Sequence, residues 1–154
     1  MKKALSFLLL SAMLLVLLAG CGQSALQLDT SALAEELAGC GAFSDLLSPI
    51  DLKIAANLYG VDAASITDGA MYCSTGATAE EIAVFKCADE AAAKTLESAA
   101  HTRLDHQKAA YADYAPQSVP AIENAIVRQL GAYVICVVAD KQAAAETVLA
   151  KYIK

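Results

Sequence analysis

One cysteine decides how much of this chain is left to fold. Behind the positive start of Lys2 and Lys3, the sequence runs apolar from Ala4 to Ala19, interrupted only by Ser6 and Ser11. Leu18-Ala19-Gly20-Cys21 closes the run. A charged start, an apolar stretch and a small-residue cleavage site are the three parts of a secretory signal. The stretch has roughly 16 residues, short of the ~20 that span a bilayer as a helix. Residues 1–20 are therefore expected to be a cleaved signal peptide. Residues 21–29 then form a short tether, and residues 30–154 must make one domain, a length that suits one core.

The closing four residues resemble the lipobox of bacterial lipoproteins, which has an apolar residue, two small residues and an obligatory cysteine. The resemblance implies diacylglycerol on the Cys21 thiol and cleavage before Cys21. A thioether needs a thiol, and a narrow peptidase cleft needs small residues. The chain carries its own control: Leu37-Ala38-Gly39-Cys40 repeats the four letters, but Asp29, Glu35 and Glu36 precede it and no apolar run does. There Leu33, Leu37 and Cys40 fall at helical spacing, and Gly41 reads as a helix stop. The covalent lipid on Cys21 is the only cofactor expected.

Charge narrows the partners. Without Lys2 and Lys3, nine basic residues face seventeen acids, and the formal net charge moves from −6 to −8. A nucleic-acid binder needs a basic face to neutralise phosphates, and no polybasic membrane signal stands beside the lipid site. The expected partners are the membrane, through the lipid, and a protein or envelope component, with no nucleic acid. Cys40, Cys73, Cys87 and Cys136 allow three disulfide pairings between which sequence does not choose. Export permits disulfides, but buried free cysteine is also a common core residue.

Periodicity then organises the domain. A helix is expected over about 30–39, capped by Thr30 or Ser31. Ser48-Pro49-Ile50-Asp51 reads as the start of a second over about 49–59, with Ser48 as cap, Pro49 in the first turn and Gly60 as the stop. Residues 66–75 and 81–87 read as paired strands; Thr78-x-x-Glu81 also matches a capping box, with 76–80 placed in the connection. The longest helix spans about 89–113, with a stripe of Ala93, Leu96, Ala100, Leu104, Gln107 and Tyr111. Strands over about 124–130 and 133–139 flank a Gly131-Ala132 turn. Asp140 caps a last helix, 141–152. The order predicts an α+β fold: a four-stranded antiparallel sheet in ββαββα order with helices on one face, preceded by two short helices.

Several stretches together carry a resemblance: Tyr59-Gly60-Val61-Asp62, Ser74-Thr75-Gly76-Ala77-Thr78-Ala79-Glu80-Glu81-Ile82-Ala83-Val84-Phe85-Lys86, Arg103, Gln107-Lys108, Tyr111-x-Asp113-Tyr114-x-Pro116, Val119-Pro120 and Gly131-x-Tyr133-Val134. In order and spacing they resemble a family of small lipoproteins from Gram-positive anaerobes, known only as a domain of unknown function. The resemblance covers roughly 30–153 and implies a Gram-positive cell surface. It implies no activity, so only the lipid site carries over.

The chemistry-bearing residues are sparse. His101 and Asp105 lie one helical turn apart, but His106 points about 100° away from Asp105, so no metal site is expected. Cys73, Cys87 and His101 lack the sequence around a catalytic cysteine. Glu80 and Glu81, adjacent in a strand, point to opposite faces, so adjacency makes no acid/base pair. Ser74-Thr75-Gly76-Ala77-Thr78 is a hairpin connection that lacks the glycines and Lys of a phosphate loop. Gln107, Tyr111, Asp113 and Tyr114 gather polar and aromatic groups at the end of the long helix, where Arg128 is a possible neighbour. Thr75, Thr78, Gln107, Tyr111, Tyr114 and Arg128 are thus the candidate ligand or partner surface, and no catalytic residue is assigned. The first expectation is a noncatalytic lipoprotein on the outer face of the cell membrane. A small-ligand binder or enzyme near the long helix and sheet, and a structural subunit of a larger surface system, are the alternatives.

Overall fold

A computed structural model describes residues 26–153. The signal segment 1–20, the Cys21 lipid site and the tether up to residue 25 lie outside the described residues. In chain order the elements are α1 (Thr30–Ala38), β1 (Ser48–Ile50), α2 (Leu52–Tyr59), a 3-10 turn (Ala63–Ser65), β2 (Ile66–Cys73), β3 (Glu81–Cys87), α3 (Glu90–Tyr114), a second 3-10 turn (Pro116–Ser118), α4 (Val119–Glu123), β4 (Ile126–Leu130), β5 (Tyr133–Val138) and α5 (Gln142–Tyr152). The strands form one antiparallel sheet in the order β1-β2-β3-β5-β4. The broad α+β class holds, but the sheet has five strands rather than four.

The extra strand comes from the segment expected to open a helix. Ser48, Pro49 and Ile50 pair with Cys73, Tyr72 and Met71 of β2. Proline lacks an N–H and is tolerated at a sheet edge, where that donor faces outward. Helix α2 starts later, capped by Asp51, whose carboxylate accepts from the Lys53 N–H. Its stop is as expected: Gly60 takes the left-handed conformation, φ 66°, that glycine adopts without a Cβ clash. At the other end of the chain, Asp140 does not cap α5; Lys141 holds that position without a side-chain cap bond.

Helices cover both faces of the sheet, not one. Within β3, Ile82, Ala83, Val84 and Phe85 are all buried, and successive strand side chains alternate between faces. Both faces must therefore be covered. Ile82 and Val84, with Ile135 and Val137 of β5, pack against Leu33 and Leu37 of α1 and Val148 and Leu149 of α5. Ala83 and Phe85, with Val134 and Cys136, pack against Ala55, Ala56 and Tyr59 of α2 and Ala93, Leu96, Ala100 and Leu104 of α3. Strand β5 lies inside the sheet, between β3 and β4. Among the described residues no helix is long and apolar enough to cross a membrane.

Candidate functional site

At the start of β3 the alternation of side chains splits two adjacent glutamates. Both are buried, Glu81 at 1% exposure and Glu80 at 3%. A buried carboxylate is costly unless it is paired and hydrogen-bonded, and each is satisfied differently.

Glu81 turns to the α3 face. Arg103 Nε donates to both of its oxygens at 3.1 Å, and Arg103 Nη2 donates to Oε2. Tyr59 Oη, on the last residue of α2, donates to Oε1 at 2.7 Å. Gln107 Nε2 reaches Oε2 at 3.5 Å, and the Cys73 thiol lies 3.7 Å from the same oxygen. Arg103 and Gln107 are one helical turn apart on α3, so one flank of the long helix presents both. The guanidinium also sits over the Tyr59 ring, 5.4 Å from its centroid, and that ring meets Phe85 edge-on at 5.3 Å. The cluster joins the ends of α2 and β2, the start of β3 and the middle of α3.

Its chemistry is closed. Desolvation, then the charge of Glu81, pushes the Cys73 thiol up to about 12. The same two causes push Cys136 up to about 12, and burial first of all raises Tyr59 well above the ordinary tyrosine range. The thiolate is the nucleophile, and at neutral pH these sulfurs are thiols. All four domain cysteines, Cys40, Cys73, Cys87 and Cys136, are free.

Glu80 turns the other way and clamps a loop without any cation. Its Oε1 accepts from the Ser44 N–H at 2.8 Å and the Ser44 hydroxyl at 3.1 Å; its Oε2 accepts from the Asp45 N–H at 2.8 Å and the Thr78 hydroxyl at 3.1 Å. Asp45 Oδ2 in turn accepts from the Thr75 N–H at 3.0 Å and hydroxyl at 2.7 Å. The Thr75 hydroxyl is the main reason the Asp45 carboxyl titrates below the usual aspartate range. Thr78 thus meets Glu80 rather than forming a capping box with Glu81, and residues 76–80 stay a connection without a helix.

Five of the six candidate residues gather where this connection meets the end of α3. Thr75 is exposed on Asp45, and Thr78 touches Glu80. The Thr78 carbonyl accepts from Tyr111 Oη at 2.6 Å. Burial, then the neighbouring Tyr114, raises the Tyr111 phenol above its ordinary range. The Tyr111 and Tyr114 rings lie 4.7 Å apart, and Tyr114 is 60% exposed. Gln107 completes the group through Glu81, while its own Oε1 is buried without a partner. Arg128 does not join: it lies across from Ile135, on the opposite face, and pairs with Glu146 of α5 at 2.6 and 2.9 Å. His101, Asp105 and His106 are exposed on α3, and no group of three His, Cys, Asp or Glu side chains among the described residues is arranged to hold a metal.

Sequence reasoning singled out Gln107 for its place on an apolar stripe but missed both carboxylate clusters. The available signal was two acids opening an apolar strand, where buried charge demands partners; Arg103, one turn before Gln107, was the cation in reach. No curated protein and no solved structure matches the chain. Residues 40–139, which hold all five strands, both glutamates and the long helix, match the domain of unknown function DUF4358, and the chain belongs to that family.

Proposed function

We propose that this protein is a lipid-anchored lipoprotein at the outer face of a Gram-positive cell membrane, and that its domain is a noncatalytic binding or accessory module for a protein or envelope component. The anchor rests on the apolar run that ends in Leu18-Ala19-Gly20-Cys21. Two or more acyl chains hold a protein at a bilayer where one does not. The Gram-positive surface rests on the resemblance to small lipoproteins described above.

The observation that carries the noncatalytic reading is the inward closure of the Glu81 cluster. Its carboxylate is taken up by Arg103, Tyr59 and Gln107, and its two thiols are raised out of the nucleophilic range. What remains to meet a partner is surface, including Leu46 at 74% exposure and Tyr114 at 60%.

Intact mass of the protein purified from its native membrane tests the reading. The expected result is a chain beginning at Cys21 with a lipid increment, and a Cys21→Ser variant that leaves the membrane fraction. A chain without lipid, or one starting elsewhere, overturns the anchor and makes a freely secreted binder the better account. A second reading, a small-ligand site at the junction of the long helix and sheet, has one observation in its favour: the unpartnered buried Oε1 of Gln107.

A further inference from the structure

Strand β4 is an edge strand of the sheet, and a groove lies beside it. The two-residue Gly131-Ala132 turn makes Leu130 and Tyr133 a hydrogen-bonded pair, and antiparallel pairing then alternates along the ladder. Arg128 and Ile126 therefore bond inward to β5, while Val127 and Gln129 turn their N–H and C=O groups to the free edge. Among the described residues, no backbone group outside the sheet pairs with them. An uncovered edge of this kind is a template for another strand.

Beside Val127 lies a groove of about 360 Å³ between α3, α4 and β4. Leu104 and Ile122 line it and are buried, whereas Asp105, Lys108 and Glu123 line it and are exposed. Lys108 is already paired with Glu123. Asp105 has no ion-pair partner among the described residues, so the acids Asp105 and Glu123 outnumber Lys108 beside the apolar side chains of Leu104, Ile122 and Val127. That combination suits the aliphatic stem and cationic head of a lysine or arginine.

We propose that β4 binds an extended basic peptide segment of a partner protein as a sixth strand, with one Lys or Arg side chain laid in the groove against Asp105. Backbone hydrogen bonds to Val127 and Gln129 supply affinity without regard to sequence, and the groove supplies the preference for a basic side chain at alternate positions. The inference rests on the binding-module reading and names its partner class. A second copy of this chain fits less well, because two β4 strands centred on Arg128 would set like charges opposite each other, which destabilises a cross-strand pair.

The test uses the full lipidated protein in a nonionic detergent and a fluorescent heptapeptide of alternating Thr and Lys. Anisotropy should report binding, with none to the Thr and Glu counterpart. N-methylation of alternate peptide amides should weaken binding by about tenfold or more, since each methyl removes a strand-forming donor. Asp105→Lys should weaken it by about threefold, the scale of an exposed ion pair. In hydrogen exchange, the Val127 and Gln129 amides should exchange freely in the free protein and slow when peptide is added. An N-methylated peptide that binds equally well, protection confined to other strands, or no binding of the Thr and Lys peptide overturns strand addition at β4. Those results leave the lipid increment at Cys21 unchanged, so a failure at β4 is distinct from a failure of the anchor.

Discussion

The two faces of the sheet are built from the same strands and hold together by different means. On the α1 and α5 face, Leu33, Leu37, Ile82, Val84, Ile135 and Leu149 are packed dry. On the α3 face, the apolar core that holds Phe85, Leu96 and Val134 shares the sheet with a buried ion pair, which has Tyr59, Gln107 and two thiols beside it. Apolar burial is non-directional and grows with area, so the dry face favours compactness without choosing among similar packings. The ion pair is directional. Glu81 accepts from Tyr59 at the end of α2 and from Arg103 in the middle of α3, and so fixes where both helices lie on the sheet. A buried pair is a weak source of net stability against a well-packed apolar substitute, but removing one partner is severe. The difference between the faces is thus between stability that degrades gradually and stability that fails at one contact.

Breaking that contact gives the largest expected effect. Arg103→Ala strands the Glu81 carboxylate at 1% exposure and should cost about 3–5 kcal/mol in urea unfolding. The paired change Glu81→Leu with Arg103→Met should recover most of that loss, because no uncompensated charge remains. A single variant no worse than the double would show that the pair is not coupled. On the dry face, Leu37→Ala should cost about 3 kcal/mol through lost transfer energy and a residual cavity. No apolar second-site partner swap should rescue it fully, since there is no single contact to restore.

The same contrast explains what could be read ahead of the structure. Local signals sufficed where local physics dominates. The stripe of Ala93, Leu96, Ala100 and Leu104 located α3 within one residue at each end, and the apolar runs located β3 and β5. Ser48-Pro49 was misread because cap and edge strand call for similar residues, and only the partner Tyr72, 23 positions away, decides between them. One-sided helix packing was the wrong inference from a strand whose own sequence, Ile82-Ala83-Val84-Phe85, is apolar at every position. A strand with one wet face alternates instead. The ion pair was hidden for a different reason: Glu81 and Arg103 are 22 residues apart and meet only because a long helix returns across the sheet.

Glu80 offers an intermediate case, a buried charge satisfied by N–H and O–H donors instead of a cation. Glu80→Gln keeps the shape but replaces one acceptor oxygen with a donor facing the Ser44 or Asp45 amide. The expected cost is about 1–3 kcal/mol. Native-state hydrogen exchange should show Ser44 and Asp45 opening faster while the Val134 and Ile135 amides keep their protection. Equal acceleration throughout would mean that the clamp supports the whole domain rather than its loop.

The smallest effect at neutral pH comes from the thiols, and it appears only in alkali. Cys136 and Cys73 both titrate at about 12 in the folded domain, against an ordinary value of 9.0. A raised folded-state value means that the native state holds the proton more tightly than the unfolded chain does. The stability this contributes is whole below 9.0 and is lost as pH rises through that value toward about 12. Urea midpoints of the parent should therefore hold below pH 9.0 and fall within that window. Cys136→Ala should show a shallower fall, since alanine cannot ionise beneath Glu81. If Cys136→Ala falls as steeply as the parent, the buried Cys136 thiol contributes nothing to the alkaline limit, and the contrast between the two faces rests on the ion pair.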